Sequence, residues 1–400
     1  MLPHLAAYFA SRQLDASSFP YRLFSPGRIN LIGEHTDYTG GYVMPAAIDK
    51  GIYFYARPIA EPVLRLYAAD LQENAVLDLP VRGKSGQLWA DYLAGIVDQF
   101  QQLGYVVPGL EIIFGGDVPR GSGMSSSAAL EGGMAFLLNA VVEAELSRPA
   151  LAQLAQRSSN TFIGVPTGIM DQFASLNGSA QGPILLQCAT LDFHPINATL
   201  PGYSWLLVNS LVTHELGSSQ YPIRVAECAR ALAALQSIYP GLDNLSAATL
   251  PQLDAVADTL DAVAFRRAYY VISENARVHR MAQALAEGEV ARAGTLLNAT
   301  HAGLRDDYAV SCEEIDFLHY QATEVFQGGH VAGARIMGGG FGGCTINLVR
   351  TSDVPALQAF LAEAYQDAYH ITPEFYPVQI GPGTRWMSEC VSTKYCAANE

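Results

Sequence analysis

Lysine is nearly missing from this 400-residue chain: only Lys50, Lys84 and Lys394 occur. Charged residues make up 15% in all, and 38 Asp and Glu against 23 Lys and Arg give a formal net charge of −15 and a pI near 5.0. So acidic a chain offers no basic footprint for nucleic acid and none for an anionic membrane face. Any anion it handles falls to Arg, backbone amides and metal. The six cysteines stand singly at 188, 228, 312, 344, 390 and 396, without Cys-x-x-Cys pairing. That spacing argues against a disulfide framework and suits reduced thiols in a cytoplasm. No His-x-x-x-His or Cys/His cluster is present, which argues against zinc. No apolar run approaches the ~18 residues of a membrane span. The start, Met1-Leu-Pro-His-Leu-Ala-Ala-Tyr-Phe, has neither the basic opening nor the apolar core of a signal peptide. The one Gly-Lys-Ser, at 83–85, is not a Walker loop, because Asp78 stands where that loop needs Gly. A Rossmann fingerprint is absent as well.

What is present suits a well-packed globular protein of two domains: half the residues are hydrophobic, and single cores rarely grow past ~250–300 residues. The pattern predicts a helix over 1–18, then strands from Tyr21 to about Leu79, with alternation in Ile52–Ala56 and Val63–Tyr67. A helix over about Trp89–Leu103, with Leu93, Ile96, Val97 and Phe100 on one face, precedes a strand at Gly109–Phe114. Further strands are expected at Ile184–Gln187 and Ser204–Asn209, and helices over Ile223–Gln327, where Gly is sparse. Strands return at Ala334–Met337, Cys344–Val349 and Glu374–Ile380, with a helix at Val354–Tyr369. Interleaved strands and helices without a repeat give an α+β class. The composition shift places the division at 1–195 and 196–400.

Four segments carry the chemistry. In Gly27–Gly41 the charged groups Arg28, Glu34 and Asp37 crowd together with His35 in an otherwise charge-poor chain. A short strand ending at Gly33 would deliver Glu34, His35 and Asp37 on one turn, able to bond several vicinal hydroxyls of a sugar. A buried ion-pair network pinning the turn is the other reading. In Asp117–Leu130 the glycines Gly121 and Gly123 can aim successive N–H groups into one concavity. Ser125, Ser126 and Ser127 then cap a helix whose N-terminus adds positive potential. The result is a phosphate cradle, or a serine-rich cap after a flexible loop. In Gly164–Phe173, Asp171 sits among apolar residues after Pro166 and Gly168, as a base, an electrostatic anchor or a helix-capping residue. Met337–Cys344 is a glycine loop that permits close approach of a ligand or of another loop.

Together these segments resemble the GHMP small-molecule kinases and, within them, the galactokinases. Gly27–Tyr38 resembles the galactokinase signature, Pro119–Leu130 the family's phosphate loop, and Gly333–Asn347 its third motif. Gly164–Phe173, Asn209–Arg224 and Leu304–Cys312 look alike too, in the family's order. The resemblance implies two α+β lobes, one like ribosomal S5 domain 2 and a C-terminal ferredoxin-like one, with the site in the cleft between them. It implies phosphoryl transfer from Mg²⁺-ATP to the anomeric hydroxyl of D-galactose, in a cytoplasmic monomer. Arg28 and Asp171 would be catalytic, and Glu34, His35, Asp37, Gly168 and Tyr221 would hold the sugar. Gly121, Ser122, Gly123, Met124, Ser125, Ser126 and Ser127 would hold the phosphates, with the Ser127 hydroxyl on Mg²⁺. The family's magnesium-binding Glu, twelve residues before the catalytic Asp, is replaced here by Ser159. Thr213 precedes His214 where many relatives carry Lys or Arg, and Leu88 precedes Trp89 where some carry Arg. These departures thin the charge on the phosphate and metal side. They keep open a non-catalytic galactose- and ATP-binding regulator beside a sister sugar-1-kinase acting on N-acetylgalactosamine, galacturonate or L-arabinose.

Overall fold

The structure, a computed structural model, describes residues 1–119, 121–198, 200–213 and 217–387. His214, Cys390, Lys394 and Cys396, noted above, lie outside them. The strands are β1 (Tyr21–Asn30), β2 (Tyr42–Val43), β3 (Pro45–Pro58), β4 (Val63–Ala68), β5 (Glu73–Asp78), β6 (Leu110–Gly116), β7 (Ile184–Gln187), β8 (Phe193–Pro195), β9 (Tyr203–Thr213), β10 (Val331–Met337), β11 (Gly342–Arg350), β12 (Glu374–Val378) and β13 (Arg385–Trp386). The helices are α1 (Pro3–Ser11), α2 (Leu88–Gln102), α3 (Ser126–Val141), α4 (Arg148–Arg157), α5 (Met170–Asn177), α6 (Gly217–Ile238), α7 (Leu250–Ala255), α8 (Ala262–Ala286), α9 (Val290–Ala302), α10 (Glu313–Tyr320) and α11 (Val354–Tyr369). No described helix is long and apolar enough to cross a membrane.

The first lobe is built on a six-stranded sheet in the order β13-β1-β3-β6-β4-β5, antiparallel except where β4 meets β6. Helices α2 and α3 cover one face, where Phe54 and Ile112 point, and α1 sets Leu5 and Phe9 against Tyr55 and Ile113 on the other. Apolar residues recur at helical spacing, so Leu93, Ile96, Val97 and Phe100 of α2 are all fully buried. In α3, Gly133 lets the helix lie on the β3 ring of Phe54, since a Cβ there would come within 2.3 Å of it. The second lobe is a four-stranded antiparallel sheet, β10-β11-β9-β12, with α9 on one face and α10 and α11 on the other. One apolar cluster, including Ile29, Leu31 and Met44 with Leu207, Ile346, Met281 and Leu297, runs across both lobes. The cleft wall is therefore packed.

Two local features position the site. The register of β1 against β3 shifts between Pro26 and Arg28, a bulge at Gly27. A Cβ at Gly27 would lie 2.6 Å from the Met124 carbonyl, so glycine lets the phosphate loop close on the strand. The Arg28 N–H then donates to that carbonyl at 3.0 Å. The second feature is a strap over residues 379–387. It bonds to Asp49 and Ala47 of β3, to Ser175 of α5 and to Gly178 just beyond it, before pairing with β1 as β13.

The expected strands and helices fall where composition placed them, and α11 and β7 have the expected bounds. The helix expected over 1–18 stops at Ser11. Gln13 takes a left-handed φ of 52°, and the Asp15 carboxylate accepts from the Ser17 N–H to start a separate 3₁₀ turn. The strand expected to Ile380 ends at Val378.

Candidate active site

Arg28 is buried near the end of β1, and its guanidinium reaches across the cleft floor. Nε donates to Asp171 Oδ1 at 2.8 Å and Nη2 to Oδ2 at 2.7 Å, a two-pronged ion pair. Nη1 donates to the Gly123 carbonyl in the phosphate loop. Burial works against this charge, but Asp171, with Glu34 and Asp37 further off, outweighs it and raises the guanidinium's pKa. Asp171 sits in the first turn of α5, where helix geometry favours a carboxylate. It does not cap that helix: Ile169 is the N-cap residue, and the Asp171 side chain is spent on Arg28 and on the Ser125 hydroxyl, 2.7 Å away.

That last bond corrects the expected serine cap. Ser125 is the N-cap residue of α3 by position but makes no side-chain cap bond. It stands in the left-handed region at φ 57°, and its hydroxyl donates instead to an ionised acceptor, the stronger partner. No described residue accepts from the first-turn N–H groups of α3, which is what an anion at a helix N-terminus needs. Gly123, at φ 69°, makes the turn that brings its carbonyl to Arg28. Gly121 and Gly123 are exposed, Ser122 and Met124 are buried beneath them, and the Ser122 hydroxyl bonds the Pro119 carbonyl at 2.6 Å. Ser126 is exposed and Ser127 partly so, at the mouth of this loop. The cradle fits nucleotide phosphates. No three His, Cys, Asp or Glu side chains converge as a metal-binding cluster among the described residues. A Mg²⁺ here would therefore rely on phosphate oxygens and water beside the Ser127 hydroxyl.

Beside the Arg28–Asp171 pair lies a cavity of about 320 Å³ lined by Glu34, His35, Asp37, Gly168, Met170, Tyr221 and Gly338, among others. That volume is at the small end of ligand pockets, ~300–1,000 Å³, and suits one sugar ring. Glu34 is 2% exposed; its Oε1 accepts from Arg335 at 3.0 Å and from the Gly338 N–H at 2.8 Å. His35 is buried with φ 62°, and its Nδ1 lies 3.0 Å from the Tyr38 hydroxyl. Burial lowers its pKa to about 4, against the pull of Glu34, so the ring is neutral at physiological pH. The Tyr38 hydroxyl continues to Tyr308 at 2.5 Å. Asp37 has no cationic partner among the described residues; burial first, and then Asp171, push its carboxyl up to about 7. A Cβ on Gly168 would sit 1.6 Å from Asp37 Oδ2, so only glycine allows the two to meet. Tyr221 closes the far side, its hydroxyl pKa raised by burial and by Asp37. The ion-pair alternative thus describes Glu34 and Arg28, and it does not describe Asp37.

Ser159 is buried, and its hydroxyl donates to Glu131 Oε1 at 2.6 Å. The other oxygen of Glu131 accepts from Gln172 at 3.3 Å. With only neutral donors around it, burial raises the Glu131 carboxyl to about 7. Lys84 turns away from all of this and donates to the Ile163 carbonyl. Three participants were given no role from the sequence: Arg335 and Tyr308, inside the segments Gly333–Asn347 and Leu304–Cys312, and Glu131. An arginine inside the apolar run Ala334–Met337 was the available signal for the first.

Residues 91–179 match the GHMP kinases N-terminal domain, and residues 13–58 match the galactokinase galactose-binding signature. A galactokinase of Roseiflexus sp. (strain RS-1) is 38% identical over 359 residues, 90% of this chain and 91% of the relative. The chain belongs to the galactokinase family. Among solved structures, Lactococcus lactis galactokinase complexed with galactose superposes with a TM-score of 0.89 at 36% identity, covering 96% of this family member and 99% of that chain. Methanococcus jannaschii mevalonate kinase, at 16% identity and TM-score 0.64 over 90% of this chain and 98% of its own, shares the fold. The two-lobed α+β architecture is therefore that of a galactokinase.

Proposed function

We infer that the chain is a galactokinase that transfers the γ-phosphoryl group of Mg²⁺-ATP to the anomeric hydroxyl of D-galactose, giving α-D-galactose 1-phosphate. The observation that carries this reading is the fork of Arg28, which joins the phosphate loop through Gly123 to Asp171 on the wall of the sugar-sized cavity. Phosphoryl transfer depends mainly on positioning and on neutralising charge. Glu34, His35, Asp37 and Tyr221 orient the sugar by its hydroxyls, with Gly168 making room for Asp37. Asp171 faces the anomeric hydroxyl, as base or as electrostatic anchor, and Ser125 and Arg28 hold it still. Arg28 also meets the negative charge that spreads over the phosphoryl oxygens in the transition state. Gly121 to Ser127 receive the phosphates through open N–H groups and hydroxyls. When bound, Mg²⁺ would supply charge neutralisation for the phosphates; Ser127 would hold it, and Ser159, bonded to Glu131, would stand at the margin. The protein acts as a cytoplasmic monomer whose lobes divide near residue 195, apart from the strap over 379–387 that returns to the first lobe.

The regulator alternative leaves Asp171 without a task that would require its bond to Arg28. A coupled ATP-consumption assay across a panel of hexoses tests the reading. Turnover with galactose, and at least about a hundredfold less with its C4 epimer glucose, is expected, because a buried carboxylate left without its hydroxyl penalises the wrong sugar. A protein that binds galactose and ATP without turnover would replace the kinase reading with the regulator one.

A further inference from the structure

Among the described residues Arg335 heads the large, fully buried side chains, and it belongs to β10 of the second lobe. All three of its guanidinium nitrogens are engaged. Nε donates to the Leu31 carbonyl at 2.8 Å and Nη2 to the Asn30 carbonyl. Nη1 donates to Glu34 Oε1 at 3.0 Å and to the carbonyl of its neighbour Ile336. The first two carbonyls lie at and just past the end of β1, in the first lobe. Glu34 Oε1 takes a second bond from the other lobe, the Gly338 N–H. Its Oε2 has no protein partner among the described residues and belongs to a side chain on the cavity wall.

We propose that Arg335 is the positioning residue of the sugar site: from the second lobe it holds one oxygen of Glu34, so that the other is presented to a sugar hydroxyl. The proposal rests on the assignment of Glu34 to the sugar. A carboxylate on a turn has free rotation about its side-chain bonds. Two donors converging on Oε1, at 3.0 and 2.8 Å, remove that freedom. The carbonyls of Asn30 and Leu31 fix the guanidinium plane in turn, so Glu34 is aimed by a fork that a lysine cannot reproduce. Selectivity for the sugar is thereby set across the lobe boundary, by a residue that touches no substrate.

A double-mutant cycle on galactose affinity, read by calorimetry without turnover, separates this from a general structural role. Glu34→Gln alone tests the sugar assignment; wild-type affinity in that variant sinks the assignment itself. Given weakened binding there, Arg335→Lys in the wild-type background is expected to weaken galactose by about tenfold or more, since ~1 Å of misplacement is costly. In the Glu34→Gln background the same change should alter galactose affinity by less than about twofold. Affinity for an ATP analogue should stay within about twofold throughout, because the fork does not reach the phosphate loop. Equal losses in both backgrounds, or wild-type galactose affinity in Arg335→Lys, would overturn the proposal. Arg335→Gln, which keeps a donor for one carbonyl, is the second variant. If neither folds by thermal melting, Arg335 is a structural residue and the proposal falls.

Discussion

Replacing Gly168 by alanine tests the sugar site at the point where space is tightest. The new Cβ would lie 1.6 Å from Asp37 Oδ2, 2.3 Å from its Cγ and 3.1 Å from its Cβ. Ordinary carbon contacts begin near 3.5 Å, so the carboxylate must retreat by roughly 2 Å or the loop must yield as far. Either movement would break the hydrogen bond proposed between the Asp37 carboxylate and a sugar hydroxyl. A hydrogen bond to a charged group contributes about 1.5–3 kcal/mol, which corresponds to roughly a 10- to 150-fold loss of galactose affinity at 1.4 kcal/mol per decade. The clash is local to a loop and the cavity, so the melting temperature should change little and ATP-analogue binding not at all. Calorimetric titration of Gly168→Ala with galactose measures the loss. The internal control is Asp37→Ala, which removes the colliding group: adding Gly168→Ala to it should cost no more than about twofold. Galactose binding within twofold of wild type in Gly168→Ala would refute the contact as a determinant of the site.

Asp171→Asn keeps the shape beside Arg28 but removes the charge, so kcat should fall at least about tenfold while galactose affinity holds; near-normal turnover would take Asp171 out of the mechanism. In the unliganded protein the Asp37 carboxyl lies up near 7, and sugar hydroxyls donate best to its ionised form. Galactose binding should then release a proton and weaken by about tenfold from pH 8 to pH 6. Asp37→Asn should flatten that profile, and a flat profile in the wild type would be the contrary result. Ser159→Glu sets a second carboxylate beside buried Glu131, so the variant should melt lower without divalent cation. Mg²⁺ with ADP should restore the variant more than it stabilises the wild type and should lower the Mg²⁺ needed for half-maximal activity, with the KM for galactose unchanged. Melting curves indifferent to Mg²⁺ would place residue 159 outside the metal's reach.

The charged turn and the glycine–serine loop were legible because their chemistry is contiguous: Glu34, His35 and Asp37 fall within four residues, and Gly121 to Ser127 within seven. Periodicity exposed α2 for a similar local reason. Arg335 was not legible. It stands amid apolar neighbours in a glycine-rich motif, and its carboxylate partner is Glu34, some 300 residues earlier. The role of Ser125 was misjudged because a serine ahead of a helix ordinarily caps it, and only the approach of α5 supplies the charged acceptor that wins. The carboxylate of Glu131 looked like one more helix residue until α4's continuation and α5 brought Ser159 and Gln172 against it. Sequence patterns report what neighbours along the chain can do together, whereas these bonds exist only once distant elements dock.

The strap that ends in β13 has a consequence for the order in which the enzyme comes into being. Leu23 is paired with Trp386, so the strand that carries Arg28 emerges early from the ribosome and waits for a partner made about 360 residues later. At ~5–20 residues per second that interval is on the order of 20 to 70 s. Throughout it β1 is an unpaired sheet edge, open to pairing with another chain, and α5, which carries Asp171, lacks the support of Thr384. A ribosome stalled before residue 380 would hold a nascent chain with every sugar and phosphate residue present and the strand beneath them still uncovered. A late stretch, made after the whole of the second lobe's sheet, is what completes the first lobe.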